Sequence, residues 1–317
     1  NGNRTINDIY VEGIIDIGGD TLTVNGSSVV DDSISIGTGV LVANGVLDNN
    51  GSISIATGTL DANSSFDGTN GTITFTDDGN LTLASTVTSL GTLSSNNGTV
   101  TYDGTDQSVL GYTYHNLVIG GPSGTKTLDG NVNVYNGDFT VNTGVTCNVG
   151  DKSLIVYYDN TSIEINGTIT VSTGIINAYG IFDATTGVII FTGDGHLYLR
   201  STVTSLGTLS SDNGTVTYLG TDQDIFGDTY NNLIIGGSSG TKMLGGNVFV
   251  NSDLTVNVDV TLDVSSSNNY SISVGGDWTD NGTFSAQEGT VTFNGTANQV
   301  LTHGSSSFYN LTLNNTG

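Results

Sequence analysis

The chain has 317 residues, of which 46 are glycine, one is proline and 35% are hydrophobic. Thirty acidic residues against five basic ones give a net charge of −25, so the chain lacks the Lys and Arg footprint that nucleic acids and anionic membranes require. No apolar run approaches the ~18 residues of a membrane-spanning helix, so we expect no membrane insertion. The acidic excess suits solubility, with cation binding as the alternative reading.

Strong helix formers are scarce, while Thr, Ser, Asn, Val and Ile abound, which predicts an all-β protein. Short alternations of apolar and polar residues recur along the chain, as in Thr99–Tyr102, Asn131–Val134 and Thr168–Val171. Asn-Gly, Asp-Gly and Thr-Gly turns separate them. Strict alternation places Val, Ile and Leu on one face of each strand and Thr, Asn or Ser on the other.

An internal repeat organises the sequence. Ser85–Tyr102 and Ser201–Tyr218 differ only at Asn96 and Asp212, at an offset of 116 residues. A partial third copy runs from Gly289 through Gln299 to Leu313. We therefore predict one continuous domain over 1–317, with approximate copies at 1–84 (partial), 85–200 and 201–317, the last containing a partial third module at 276–317.

Copies of one length, with no boundary and no room for helices, favour a β-solenoid like a parallel β-helix over a sandwich or barrel. Each unit of such a fold buries its apolar face only by stacking on its neighbours. Asn116, Asn232 and Asn310 each precede an inward Leu, and we expect their amides to form ladders between turns. The pattern does not define the handedness.

The two ends of the sequence match each other. Arg4–Ile6 resembles Lys126–Leu128 and Lys242–Leu244, which follow the Asn-Leu-x-Ile segment in both internal copies. The equivalent C-terminal segment, Asn310–Leu313, is the last one in the chain. This suggests head-to-tail stacking of copies into a filament, with strand donation as a variant and an excerpt of a longer surface protein as the alternative. The predicted subunit interface comprises Arg4, Ile6, Tyr10, Val11, Phe308, Leu311 and Leu313.

A catalytic site is not predicted. The candidate bases His115, His196 and His303 are scattered among the copies, and no paired carboxylates or zinc spacing stand out. A polysaccharide-degrading β-helix enzyme is therefore the less favoured reading. Thr76–Asn80 and Thr192–His196 are turn sequences first and weak calcium candidates second, so no cofactor is expected. The single cysteine, Cys147, falls in an apolar strand phase and is expected to be buried and inert.

Glycan binding is a further alternative. Aromatic side chains could stack on sugars, and the candidates are Tyr112, Tyr114, Tyr157, Tyr158 and Tyr230. Several of them lie in the apolar phase and recur between copies, which favours a place in the core. The Thr pairs 99/101, 215/217 and 290/292 could present a flat hydroxyl array, although Thr is also an ordinary outward strand residue. Two outer-face positions differ between copies: Ala84 becomes Arg200, and Asn133 becomes Phe249. Asn-x-Ser/Thr sequons, at Asn3, Asn25, Asn50, Asn63 and elsewhere, permit glycosylation.

The segment Gly276–Phe284, with Gly289–Phe293, Gln299 and Phe308–Leu311, resembles a repeat module of large secreted bacterial and archaeal surface proteins. That module reads Trp-x-Asn-Asn-Gly-Thr-Phe, then Gly-Thr-Val-x-Phe, Gln and Phe-x-Asn-Leu. Trp278 occurs in one copy here, and Asp280 replaces the usual Asn. The resemblance implies an extracellular or cell-surface location, solenoid arrays and a structural or adhesive role, with glycans or other surface proteins as further partners. It carries over no catalytic residue.

Overall fold

A computed structural model describes residues 2–210 and 212–317; Ser211, which belongs to the repeated segment, lies outside the described residues, as does Asn1. No helix occurs among the described residues. Every strand pair with a defined register is parallel, as in Arg4↔Leu22 and Thr290↔Asn310. The strands are stacked in about 15 turns, so the fold is a β-solenoid, as predicted.

The described residues form 46 strands. Those of the N-terminal half are β1 Arg4–Ile6, β2 Ile9–Val11, β3 Ile14–Asp16, β4 Thr21–Val24, β5 Ser28–Val30, β6 Ser33–Ile36, β7 Val40–Ala43, β8 Leu47–Asn49, β9 Ser52–Ile55, β10 Thr59–Ala62, β11 Phe66–Asp67, β12 Thr72–Phe75, β13 Asn80–Leu83, β14 Val87–Ser89, β15 Thr92–Ser94, β16 Thr99–Tyr102, β17 Gln107–Val109, β18 Thr113–Tyr114, β19 Asn116–Ile119, β20 Gly124–Leu128, β21 Val132–Tyr135, β22 Phe139–Val141 and β23 Val145–Gly150.

The strands of the C-terminal half are β24 Ser153–Tyr157, β25 Ser162–Ile165, β26 Thr168–Val171, β27 Ile175–Ala178, β28 Ile181–Asp183, β29 Val188–Phe191, β30 His196–Leu199, β31 Val203–Ser205, β32 Thr208–Leu209, β33 Thr215–Tyr218, β34 Gln223–Ile225, β35 Thr229–Tyr230, β36 Asn232–Ile235, β37 Thr241–Leu244, β38 Val248–Val250, β39 Leu254–Val256, β40 Thr261–Asp263, β41 Ile272–Val274, β42 Trp278–Asp280, β43 Thr283–Ser285, β44 Thr290–Phe293, β45 Leu301–Thr302 and β46 Asn310–Leu313.

The chain divides into two compact units, Asn1–Asn148 and Val149–Gly317. In the first unit each turn contributes three strands, one to each of three sheets. Strands β1, β4, β7, β10, β13, β16, β19 and β22 are hydrogen-bonded in that order; β2, β5, β8, β11 and β14 form a second sheet, and β3, β6, β9, β12 and β15 a third. The later turns of the unit continue as β17, β20 and β23, and as β18 and β21.

The second unit has the same plan of three strands per turn. Its longest run of paired strands is β24, β27, β30, β33, β36, β39, β42 and β45. The other runs are β25, β28 and β31; β26, β29 and β32; β34, β37, β40 and β43; and β35, β38, β41, β44 and β46. The prediction of one continuous domain over 1–317 stays a prediction.

The core of each unit follows from alternation within strands and from parallel register between them. In the first unit Leu22, Leu41 and Leu60 lie directly above one another, because register pairs equivalent residues of successive turns. Residues in the other phase face outward and are mostly Thr, Ser and Asn. Cys147 is fully buried, which confirms the predicted burial, and burial raises the pKa of its thiol to about 12. Phe249 faces outward and is 48% exposed.

The repeat does not span a whole number of turns. Asn80–Leu83 is the 13th strand, and its counterpart His196–Leu199 is the 30th. With three strands per turn, seventeen strands leave a remainder of two, so equivalent strands occupy different places within their turns. The alternation of inward and outward residues is nevertheless the same in the equivalent strands.

The most strongly repeated segment coincides with a break in the sheets. In the first unit β14 is not paired with β17, and in the second β31 is not paired with β34. Gly91 and Gly207 mark these breaks: both have positive φ, and a Cβ at either would clash with the carbonyl oxygen of a preceding turn. Only glycine fits, which explains why the repeat retains it.

The amide ladders lie elsewhere than predicted. Asn63 Nδ2 donates to Asn44 Oδ1 and Asn44 Nδ2 to Asn25 Oδ1, both at 3.0 Å, along an exposed corner of the first unit. Asn116 instead donates to the carbonyl oxygen of Asn97 and accepts the N–H of Asp138, and its register partner in the preceding turn is Thr99. A ladder needs Asn in successive turns, and positions 116, 232 and 310 lie many turns apart.

Candidate association edges and interior polar sites

The first edge of the solenoid comprises β1, β2 and β3, each the terminal strand of its sheet. Arg4 pairs in register with Leu22 and Ile6 with Val24. Both therefore take the inward, core phase, yet Arg4 is exposed and Ile6 half-buried because no turn covers them. Ile15 of β3 has the same phase, opposite Ile34, and was missed by sequence reasoning.

Two predicted interface residues of this edge are placed differently. Val11 is 2% exposed and packs within the core of its own unit, so it presents no surface to a partner. Tyr10 faces outward, and its hydroxyl donates to Asp31 of the next turn. That hydrogen bond to a carboxylate raises the pKa of Tyr10. Tyr10 thus belongs to a lateral surface and not to the stacking edge.

The last edge, in the second unit, comprises β45 and β46. Leu311 and Leu313 lie in register with Val291 and Phe293, which are 2% and 4% exposed. Leu311 and Leu313 share that core phase but are 45% and 73% exposed. Leu301 of β45, over the buried Trp278, is 44% exposed and is a further edge residue that sequence reasoning missed.

Phe308 is not a free edge residue. Its ring packs against Trp278 at 5.5 Å, Phe284 at 5.7 Å and Phe293 at 6.2 Å between centroids, and stacks on His303 at 4.3 Å. It closes an aromatic cluster in the last turn of the second unit, so its role is to complete the core there.

A buried acid lies beneath this cluster. Asp280 is 2% exposed, and its Oδ2 lies 3.4 Å from His303 Nδ1. When Gly289 is aligned with Gly214, Asp280 takes the position of Ser205. Ser205 Oγ and Asp280 Oδ1 play the same part, each accepting the N–H of the glycine two residues on. The substitution of Asp for Ser was visible in the sequence once the copies were aligned, whereas the contact with His303 was not.

Each break in the sheets is closed by a glutamine. Gln107 Oε1 accepts Gly104 N–H at 3.0 Å, and its Nε2 donates to the carbonyl oxygens of Leu83 and Ser85. Gln223 and Gln299 make the same three kinds of contact. The repeated glutamine therefore satisfies backbone groups at a corner where strand pairing stops.

In both complete copies a lysine lies over this glutamine. Lys126 is paired in register with Gln107, and Lys242 with Gln223. Both lysines are fully buried; their ammonium groups donate to the carbonyl oxygens of Ser123 and Ser239 at 2.9 and 2.8 Å. Burial lowers the pKa of each lysine. Over Gln299 no lysine is present in the described residues.

The candidate catalytic and metal residues are dispersed. His196 stacks on Tyr198 at 5.7 Å, His303 pairs with Asp280, and His115 precedes β19. Asp77 caps its own turn by accepting Asp78 N–H. Across residues 2–210 and 212–317 no three His, Cys, Asp or Glu side chains group closely enough to hold a metal ion.

Some of the tyrosines considered as glycan-binding residues are buried and others are exposed. Tyr114 and Tyr230 are fully buried, and the Tyr112 hydroxyl is 3.2 Å from Ser89 Oγ. Tyr157 stacks on Tyr179 at 5.5 Å along the outside of the second unit, and Tyr158 is 41% exposed.

Two of the three Thr pairs, 99/101 and 215/217, do not lie in an extended hydroxyl array, whereas Thr292 of the third pair lies between Ser273 and Thr312. Thr101 lies between Thr82 and Val118, while Thr217 lies between Tyr198 and Ile234. Because bulky side chains interrupt both columns, the flat array considered from the sequence does not form there.

No protein-family model matches the chain, and no match is found among curated proteins or among solved structures. The described residues contain no helix long and apolar enough to cross a membrane. The class that the fold defines is therefore β-solenoid repeat protein, and function must be argued from the surfaces themselves.

Proposed function

We propose that this chain is a structural protein of the cell exterior whose solenoid stacks end to end on further copies to form a filament or surface fibre. The observation that carries the proposal is the exposure of Leu311 and Leu313, whose register partners one turn below are almost fully buried. A core-phase leucine is buried only when another turn stacks on it. The first edge offers such a turn.

The polar residues at the two edges favour a second molecule of this chain, rather than another partner, as what stacks there. In each complete copy a buried cation lies over the glutamine at the sheet break. Gln299 makes the same three contacts with backbone groups. In the repeat order, the next strand after β46 would lie over Gln299. Arg4 is an inward-phase cation on the first edge, followed by Thr5 and Ile6 as Lys126 is followed by Thr127 and Leu128. A second molecule of this chain would thus supply both the cation, Arg4, and the apolar residue, Ile6.

Unpaired strand edges add a backbone contribution. Strands β1, β2 and β3 at one edge and β45 and β46 at the other are terminal in their sheets, so one side of each has no strand partner in its unit. Exposed edges of this kind are templates for pairing with another chain. The acidic surface opposes side-by-side aggregation, which leaves the edges as the favoured contacts.

The test is sedimentation velocity over a concentration series, with negative-stain electron microscopy of the same samples. Wild type is expected to associate into fibres. Leu311→Asp and Ile6→Asp are expected to lower the association constant by about 100-fold or more, because an unpaired carboxylate buried at a joint costs several kcal/mol.

Thr312→Asp and Thr5→Asp are the matched controls: each adds the same charge on the same strand in the outward phase. They should assemble nearly as the wild type does. Circular dichroism must show that all four variants fold. Equal assembly of the inward and outward variants, or a monomeric wild type, would refute end-to-end stacking and favour a stalk or adhesive segment covered by other residues.

A further inference from the structure

A groove opens on the second unit where β31 and β34 are not paired. It has a volume of about 540 Å³, and its lining includes Arg200, Val203, Asp222, Asp224 and Met243. Met243 is 43% exposed, so the groove combines an apolar patch with one guanidinium and two carboxylates.

The first copy of the repeat provides an internal comparison for this groove. Its frame is retained: Gly104, Asp106 and Gln107 correspond to Gly220, Asp222 and Gln223. Three lining side chains change, and they supply most of the chemistry: Ala84 becomes Arg200, Ser108 becomes Asp224 and Thr127 becomes Met243. A purely structural turn would not require a guanidinium, a carboxylate and a thioether to arise together on one groove.

Arg200 is held in position by its neighbours. Its Nε donates to Asn177 Oδ1 at 2.8 Å, and its guanidinium carbon lies 4.7 Å from the centroid of the Tyr179 ring. Tyr179 in turn stacks on Tyr157, 5.5 Å away. Within the described residues the guanidinium forms no ion pair, although the chain has thirty acidic residues. One N–H is thus engaged, and the terminal amino groups are oriented without a carboxylate partner.

The carboxylates are positioned by the turns of the solenoid. Asp222 Oδ1 accepts Thr241 N–H at 2.9 Å, which fixes that side chain at the groove wall. Asp224, Met243 and Asp263 form a column of outward residues in successive turns. The apolar side chain of Met243 therefore lies between two hydrogen-bond acceptors, the carboxylates of Asp224 and Asp263.

We infer that this groove binds a neutral glycan chain. A sugar ring offers an apolar C–H face, which fits Met243, and hydroxyl groups that both donate and accept hydrogen bonds. Asp222 and Asp224 accept from hydroxyls, and Arg200 donates to them; such charge-assisted bonds are the stronger kind. An anionic polymer would be repelled by the two acids and by the net charge of −25, so anionic sugars are excluded.

The test is calorimetric titration of the 317-residue protein with hexasaccharides of β-1,4-linked glucose, xylose, mannose and N-acetylglucosamine, and with oligogalacturonate as the anionic probe. At least one neutral hexasaccharide is expected to bind more tightly than the galacturonate. Arg200→Ala should lower its association constant by about tenfold or more, as expected for loss of a hydrogen bond to a charged group. Val203 and the backbone frame stay unchanged in this variant.

The first copy supplies the control. The triple variant Arg200→Ala, Asp224→Ser, Met243→Thr restores the residues found at 84, 108 and 127 and should abolish binding while leaving the thermal melt unchanged. Binding that survives the triple variant, preference for galacturonate, or no binding of any neutral probe at millimolar concentration would overturn the inference.

Discussion

At the scale of single residues, some inward positions of this solenoid hold charged or polar side chains, although alternation within the strands places mostly apolar residues there. Lys126 and Lys242 are the clearest case, because each is fully buried with its ammonium group bonded to a backbone carbonyl. Burying a charge is unfavourable unless it is well partnered, and burial accordingly lowers the pKa of both lysines. Their positions over Gln107 and Gln223 show that the repeat preserves this arrangement as a unit.

The lysines predict a pH dependence of stability. With its pKa lowered in the folded state, Lys126 binds fewer protons there than in the unfolded chain, so stability rises with pH as the folded-state pKa is passed and up to the unfolded value of about 10.4. Lys126→Met removes that contribution. In urea titrations at a series of pH values, the variant should show a smaller rise in the free energy of unfolding as the pH increases toward about 10.4.

The difference between wild type and variant isolates the lysine, because buried tyrosines titrate identically in both proteins. Lys152→Met is the control for loss of one positive charge, since Lys152 pairs with Asp151 at the surface, 2.8 Å away. If Lys126→Met and Lys152→Met gave the same pH profile, the buried position of Lys126 would have no consequence for stability.

At the scale of elements, the breaks in the sheets are closed by buried tyrosine pairs. Tyr102 Oη and Tyr114 Oη are 2.9 Å apart; Tyr114 donates to the Leu110 carbonyl at 2.7 Å, and Tyr102 accepts Leu110 N–H at 3.2 Å. Tyr218 and Tyr230 form the same network with Phe226. Burial raises the pKa of all four hydroxyls, so they stay protonated hydrogen-bond donors. These pairs supply partners for backbone groups where strand pairing is lost.

Tyr102→Phe is expected to lower the free energy of unfolding by about 1–3 kcal/mol, because Leu110 N–H is left buried without an acceptor. Tyr114→Phe should cost a similar amount, and the double variant less than the sum, since the two hydroxyls bond each other. Denaturant unfolding followed by circular dichroism measures all three.

Tyr309→Phe is the control for these substitutions, as Tyr309 is 60% exposed and should change the stability little. Strictly additive effects of the Tyr102 and Tyr114 substitutions would show that the two hydroxyls do not act as one network.

At the scale of the whole molecule, charge controls association. Copies that each carry a net charge of −25 repel one another, while the proposed joint is apolar apart from Arg4 and Gln299. Salt shortens the range of repulsion, to about 8 Å at physiological ionic strength, and leaves apolar contacts intact. Association should therefore strengthen as ionic strength rises.

Sedimentation velocity in sodium chloride and in calcium chloride at matched ionic strength separates two roles of the acidic residues. Equal strengthening in the two salts identifies screening alone. A markedly larger effect of calcium would point to specific cation binding between copies. Association that weakens as salt is added would contradict an apolar joint.

Sequence reasoning reached the fold because the solenoid obeys local rules. Alternation in Thr99–Tyr102 and its relatives defined the inward residues, and the absence of helix formers left stacked strands as the way to bury them. The same alternation identified Leu311, Leu313 and Ile6 as core-phase residues. It could not show that Val11 is covered by its own unit or that Phe308 closes an aromatic cluster, because both depend on which turn lies above.

The sequence by itself determined the all-β solenoid class, the repeat and the inward phase of each strand, since these follow from period-two alternation and turn residues. Tertiary structure alone decided which distant residues meet. Three strands per turn set the offset between copies, brought Arg200, Asp224 and Met243 to one groove, and placed Asp280 beside His303. Such meetings depend on the residue count of every intervening turn, and small changes in that count move side chains between columns.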